Sequence, residues 1–250
     1  MLDYSAPLRD MQFVLNELIG FEQICALAGT DDISLDLSNA VLEEASKFAK
    51  DVLAPLNRIG DLEGSKLDED QVTTPTGWKD AYTAFKNSGW CSLAMSPNFG
   101  GQGFPKVMAT AVYEMWDSAN MSFSLCPLLT NGAIEAIQSH GDDKLQATYL
   151  DKLVSGDWAG TMNLTESQAG SDLSAVRTKA VPEGDHYLIK GQKIYITYGE
   201  HDLTENIIHL VLARTPDAPE GVKGISLFVV PKFLVNSDGT LGERNDVKCI

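Results

Sequence analysis

The apolar positions change period once along this chain. Over residues 7–154 they recur every three or four residues, the spacing that lines one face of a helix. From Trp158 onward they come in short runs separated by turn residues, which reads as strands. In the first part, Leu8, Met11, Leu15 and Leu18 predict one helix over 7–27. Gly29-Thr30-Asp31-Asp32 breaks it, and the aspartates suit a following N-cap. A second helix is predicted over 34–53, with Val41, Ala45, Phe48 and Val52 on one face, ended by Pro55. Residues 60–77 are polar and read as an exposed loop. The next helix turns Trp78, Tyr82 and Phe85 inward and stops at Gly89. Further helices are predicted over 106–118, 127–141 and 142–154, the last with Leu145, Tyr149, Leu150 and Leu153 as its apolar stripe.

After Ser155-Gly156-Asp157 the predicted strands are 158–164, 175–182, 207–214 and 224–230, with His209 interrupting the third. Residues 186–190 and 192–197 read as a hairpin around Lys190-Gly191, with Leu188, Ile194 and Ile196 as apolar members. Turns fall at 182–185 and 216–221. Short strands at this spacing point to a small β-barrel or folded sheet. The fold class is therefore α+β, all-helical first and a small β-barrel-like unit second. No internal repeat or low-complexity segment interrupts it. The chain stops at Val247-Lys248-Cys249-Ile250, which reads as the start of another element and so as an incomplete chain.

Composition narrows the partners. With 35 acidic and 19 basic residues the formal net charge is -16, which disfavours nucleic acid and anionic membrane surfaces. Small anionic ligands stay open, because a local row of N–H groups can hold a phosphate against the overall field. Cys25, Cys91, Cys126 and Cys249 are widely spaced, with no metal or redox motif, and read as free thiols in a reducing compartment. The N-terminus lacks the basic segment and apolar run of a signal peptide, so a cytoplasmic location is expected. His140, His186, His201 and His209 are scattered and receive no role. Trp90, Trp116 and Trp158 read as core, and the acidic stretch 61–70 as a solvated loop.

Two stretches carry candidate chemistry. In 97–105, Pro-Asn-Phe-Gly-Gly-Gln-Gly-Phe-Pro, three glycines and two prolines exclude helix and central strand. It is either a structural connection or a ligand-facing loop. The second, 162–172, is Met-Asn-Leu-Thr-Glu-Ser-Gln-Ala-Gly-Ser-Asp at the end of a strand. Glycine lets backbone approach a ligand and Ser and Thr add short donors. The alternative is a turn that bonds its own backbone. Arg177 and Lys179, just beyond, are either phosphate partners or a solvated strand face.

Taken in order, the 97–103 loop, Leu164-Thr165-Glu166 through Ala169-Gly170-Ser171-Asp172, Gly191-Gln192-Lys193-Ile194-Tyr195-Ile196-Thr197 and the strand over 224–230 resemble the acyl-CoA dehydrogenases over roughly residues 35–250. The segment 4–10 resembles the N-terminal extension of a longer branch that acts on 3-methylmercaptopropionyl-CoA and fatty acyl-CoAs. The resemblance implies an extension over 1–33, the family's helical N-terminal domain over 34–155 and its β middle domain over 156–250, with the C-terminal helical domain absent. It implies an FAD flavoprotein that oxidises an acyl-CoA to the 2-enoyl-CoA, passes electrons to an electron-transfer flavoprotein, and forms a homo-oligomer, dimer or tetramer, when full length. By position, Met162, Leu164 and Thr165 would contact the flavin ring, Gly170 would allow close approach, and Ser171 would meet both cofactor and acyl-CoA. Tyr195, Ile196 and Thr197 would form the second flavin-contacting segment, with Tyr195 stacking and Thr197 reaching N5.

Three departures stand out. Ser167-Gln168 replaces the family's Pro-Gly and leaves the loop without that rigidity. Tyr195 stands where Trp is usual, and Met162 where some members carry an aromatic residue. The catalytic glutamate lies beyond Ile250 in the family's C-terminal domain, so this piece alone is expected to be inactive, and Glu166 is read as a support of its loop. Two other readings stay open: a non-dehydrogenating flavin-binding or interaction protein of the same fold, and a flavin oxidase.

Overall fold

Gly20 decides the shape of the N-terminal stretch. The computed structural model describes residues 4–30 and 32–250, and in it the single helix expected over 7–27 is broken. α1 (Leu8–Phe13) runs on as a π-helical turn, Val14–Ile19, which stops at Gly20 with a left-handed φ of 74°. Glycine reaches that region without a Cβ penalty. α2 (Phe21–Ala28) follows. Met11 and Leu15 are buried, whereas Leu18, in the wider π-helical turn, leaves their face and is exposed.

The N-cap of α3 (Leu35–Phe48) is Ser34 and not Asp32, while Asp31 lies outside the described residues. Extended backbone at Ser34 places its Oγ to accept the Leu37 N–H at 3.2 Å. Pro55 does not end this helix. The chain passes through a π-helical turn, Ala49–Leu53, into α4 (Ala54–Glu63), where Pro55 sits in the first turn and its missing N–H is tolerated. The buried face is Leu42, Ala45, Phe48, Ala49 and Leu53, with Val41 and Val52 at its edge. Residues 60–77 are therefore not all loop. They complete α4 and form a hairpin of β1 (Lys66–Asp68) and β2 (Gln71–Thr73). Its strands are almost fully exposed, so no apolar alternation announces them.

α5 (Trp78–Asn87) buries Trp78, Tyr82 and Phe85 as expected. The helices predicted over 106–118 and 127–141 are one element, α6 (Lys106–His140), interrupted only at Asn120. Asn120 has φ -161° and ψ 83°, its Oδ1 accepts the Phe123 N–H at 3.1 Å, and its Nδ2 donates to the Leu53 carbonyl at 3.2 Å. It acts as an internal N-cap that restarts the helix. α7 (Asp143–Ser155) is capped by Asp142. Trp116 packs edge-on against Phe85, with centroids 4.7 Å apart, and Trp90, Trp116 and Trp158 are all core.

Helix gives way to sheet at Gly156. β3 (Trp158–Asn163), β6 (Asn206–Ala213) and β7 (Ser226–Pro231) form a three-stranded sheet, β3 parallel and β7 antiparallel to β6. The strand predicted over 175–182 begins late. A 3-10 turn, Leu173–Ala175, comes first, and β4 is Lys179–Glu183. β5 (His186–Lys190) pairs with β4 and not with 192–197. Gln192 onward is irregular because its backbone bonds instead to the end of β3, as described below. β8 (Phe233–Val235) and β9 (Leu241–Arg244) make a last hairpin. Among the described residues these strands do not close into a barrel. They remain separate sheets, the β4–β5 hairpin meeting the main sheet through Ala180 N–H to the Arg214 carbonyl at 2.8 Å.

α6 lies directly on β3. A Cβ on Gly160 would stand 2.4 Å from the Ala133 Cβ, and the Gly160 N–H donates to Thr130 Oγ1 at 3.1 Å. The four cysteines are free, three of them buried. No described helix is long and apolar enough to cross a membrane.

Candidate functional site

Side chains alternate along β3, so with Gly160 against α6, Thr161 and Asn163 lie on the opposite face. There Thr161 Oγ1 donates to the Thr197 carbonyl at 2.7 Å. Four residues beyond Thr161, the Thr165 carbonyl accepts the Ile194 N–H at 2.9 Å, and the Leu164 carbonyl accepts from Lys193 Nζ at 3.0 Å. Two of the segments that carry the family resemblance, 162–172 and 191–197, are thus laced together.

Glu166 is the hub of this lacing. Its backbone exchanges two hydrogen bonds with Ala169, at 2.8 and 3.0 Å, closing a tight turn over Ser167-Gln168. Its carboxylate accepts from Lys193 Nζ at 2.8 Å, Thr178 Oγ1 at 2.6 Å, the Thr178 and Arg177 N–H groups at 3.0 and 2.8 Å, and Gln168 Nε2 at 2.6 Å. The Glu166 and Lys193 side chains are only 4% and 8% exposed. Burial alone would raise the Glu166 carboxyl. The Lys193 ammonium, the Thr178 hydroxyl and the two N–H groups overcome that and bring it down to about 2. The carboxylate is ionised and fully occupied by its own chain, so it supports the loop. Gln168 also donates to the Ala175 carbonyl at 3.2 Å. It braces the turn, against the loss of rigidity expected from replacing Pro-Gly.

The predicted contact residues lie on the outside of this hub. Tyr195 is 90% exposed and Met162 38%. Gly170, Ser171 and Thr197 are exposed, and Leu164, Thr165 and Ile196 are half-buried. A Cβ on Gly170 would touch only Thr165 Cγ2, at 3.7 Å, so the chain's own packing does not demand glycine there. The Thr165 and Thr197 N–H groups donate to no backbone carbonyl among the described residues. Tyr195 has a φ of 58° and Tyr198 of 51°, both left-handed. Bulky residues rarely hold that conformation unless their surroundings impose it. Arg177, in the connection before β4, and Lys179, the first residue of β4, are exposed.

Several residues that organise the site have no motif. Thr178 is one. Arg214 is another, with Nε on the Val176 carbonyl and the guanidinium N–H groups on the Ser174 and Gly221 carbonyls, each at 2.8 Å. Gly191 lets the chain cross Thr178, whose Oγ1 would stand 2.2 Å from a Cβ. Lys193 belongs to the 191–197 segment, but nothing in the sequence pairs it with Glu166.

A broad cleft opens on the side of the sheet bearing Asn163 and His209. Tyr195, Ile196 and Tyr198 line it, but Thr165 and Ser171 do not. His201 Nδ1 accepts the Leu203 N–H at 3.1 Å, which leaves the proton on Nε2. Burial, with Lys232 nearby, pushes His201 down to about 3 and His209 to about 4, so both are neutral at physiological pH.

Residues 36–157 match the family model for the acyl-CoA dehydrogenase N-terminal domain, and residues 161–245 the one for its middle domain. The chain is 54% identical over its whole length to 3-methylmercaptopropionyl-CoA dehydrogenase of Ruegeria pomeroyi, covering 42% of that protein. It is 40% identical, over 98% of its length, to a butyryl-CoA dehydrogenase of Syntrophomonas wolfei, covering 41% of it. The chain thus spans about two fifths of these curated relatives. Among solved structures, an acyl-CoA dehydrogenase from Geobacillus kaustophilus superposes with a TM-score of 0.64 at 24% identity, over 77% of this chain and 47% of the other. With a helical half and a sheet half that match two successive domains of one family, in that family's order, this chain belongs to the acyl-CoA dehydrogenases and carries their N-terminal and middle domains.

Proposed function

We propose that this chain is the flavin- and thioester-positioning part of an FAD-dependent acyl-CoA dehydrogenase. The supporting observation is the lacing of 162–172 to 191–197 behind an exposed rim. Met162, Thr165, Ser171, Tyr195 and Thr197 are the rim residues expected to meet ligand. They suit a flat, polar-edged ring: Tyr195 offers a free aromatic face, Thr165 and Thr197 offer N–H donors not taken by backbone, and Gly170 leaves room for close approach. The flavin, when bound, supplies the acceptor for the hydride that leaves the substrate β carbon. Thr165 and Thr197 would hold the flavin through their N–H groups, and the half-buried Leu164 and Ile196 would line its site. Ser171 sits where cofactor and acyl-CoA meet.

Glu166 does not remove the α proton, because its oxygens are committed to Lys193, Thr178 and Arg177. The base comes from outside these 250 residues, and the isolated piece is inactive. The first acyl-CoAs to test are the 3-methylmercaptopropionyl and butyryl thioesters, after the relatives' names. An electron-transfer flavoprotein as acceptor, a homo-oligomeric full-length protein and a cytoplasmic location complete the proposal. The test is anaerobic titration of the full-length protein with these thioesters. Bleaching of the flavin band by at least one is the expected result, and no bleaching by either, or by longer acyl-CoAs, rejects it.

A further inference from the structure

Tyr198 follows the Tyr195-Ile196-Thr197 segment directly, yet its hydroxyl reaches the helical half. It donates to the Ser122 carbonyl at 2.7 Å and accepts the Trp78 Nε1–H at 3.2 Å. Ser122 lies two residues past the break in α6 at Asn120, and Trp78 opens α5. The ring packs edge-on against His201, with centroids 5.5 Å apart. The residues that follow are held to the same half. The Asp202 carboxylate accepts from the Thr74 N–H at 3.0 Å and Thr74 Oγ1 at 2.7 Å, and pairs with Lys79 at 2.9 Å. Glu200 pairs with Lys232, and Arg244 bridges Glu200 to Asp70.

Residues 193–202 therefore form a strap with two anchors. The front half is fixed to the end of β3 through Thr165, Glu166 and Thr161. The back half is fixed to α5, to the β1–β2 hairpin and to the α6 break. Tyr195 lies within the first anchor, between Ile194 and Thr197, and Tyr198 opens the second. Both hold left-handed backbone, a state that costs a bulky residue of order 1–3 kcal/mol and persists only where surrounding contacts over-determine it. At Tyr198 those contacts are the two hydroxyl hydrogen bonds.

We infer that Tyr198 is a positioning residue. Its hydroxyl clamps the α6 break and Trp78 to the strap, and so fixes the backbone of Tyr195 to Thr197 at the cofactor edge. The inference rests on the proposed flavin reading for what the strap presents, but the clamp itself belongs to this chain alone.

The test compares full-length wild type with Tyr198→Phe, which keeps the ring and removes only the hydroxyl. In the flavin-free protein, amide exchange over 194–199 is expected to rise about tenfold or more, because both hydroxyl hydrogen bonds are lost, with the rest of both halves unchanged. FAD affinity is expected to fall by a similar factor, and the visible flavin band of the loaded variant to shift as Thr197 moves relative to the ring. A role in general stability alone would raise exchange across the helical half and leave the band in place. That outcome overturns the inference, as do exchange and affinity both within twofold of wild type. If wild type takes up no flavin, the proposed function fails and takes the cofactor part of this inference with it, while the exchange measurement still decides the clamp.

Discussion

The loop over 97–105 closes on the segment just before it. Gln102, Gly103 and Phe104 donate their N–H groups to the Ser92, Met95 and Leu93 carbonyls at 2.9, 3.0 and 3.0 Å. A Cβ on Gly101 would stand 2.0 Å from the Met95 carbonyl oxygen. The loop over 162–172, equally rich in small and polar residues, closes only behind. Its Glu166 gathers five donors from its own chain, while Met162, Gly170 and Ser171 face outward with room beyond them. Glycine in the first loop serves the chain's own packing; Gly170 in the second does not. That difference favours the structural reading of 97–105 and the ligand-facing reading of 162–172.

Removing the hub should have the largest effect. Glu166→Ala leaves Lys193 buried and unpaired, and should cost about 3–5 kcal/mol of unfolding free energy, read by denaturant unfolding of the full-length protein. A loss below that of any glycine change in the other loop would break the comparison.

Acid should act on the same group. The folded carboxyl of Glu166 lies near 2, below the usual 4.5. Its contribution is therefore fully present above about pH 4.5 and lost as pH falls toward 2, worth roughly 3 kcal/mol at most. Residues 97–105 contain no ionisable side chain. Amide exchange measured between pH 5 and 2.5, corrected for intrinsic rates, should open 162–172 first, and simultaneous opening would contradict this.

Gly101→Ala comes next. The new methyl cannot be housed without moving the Met95 backbone, so a loss of about 1–3 kcal/mol is expected in thermal unfolding, with flavin affinity unchanged. Gly170→Ala is the smallest and sharpest case. Stability should change by less than about 0.5 kcal/mol while FAD binds more weakly in a fluorescence titration. Stability lost with binding intact would place Gly170 with Gly101.

How much of this was legible depended on whether a signal is local. Trp78, Tyr82 and Phe85 declare their helix face because the helical period is written in consecutive turns. The boundary at Ser155-Gly156-Asp157 shows for the same reason, since the period changes there. Pro55 misled because a proline that ends one helix and a proline in the first turn of the next look alike in sequence. What separates them is the π-helical turn before it. The segment 192–197 misled because alternating Ile194 and Ile196 suit a strand, while hydrogen bonds to Thr165 and Thr161 made elsewhere take its backbone out of any ladder.

By itself, the sequence determined the helix-then-sheet order, most of the buried faces, and the short motifs that mark the family. All of these rest on neighbours within a few residues. Only the tertiary structure decided that Lys193 meets Glu166, that Gln168 braces the turn that Pro-Gly would otherwise stiffen, and that Tyr198 reaches Trp78 and Ser122. Each joins residues set beside one another by the bonding of 193–197 to the end of β3, by the tight turn at Glu166 or by the docking of 198–202 on the helical half. A hydrogen bond depends on ångström-scale distance and direction, which spacing along a chain does not encode.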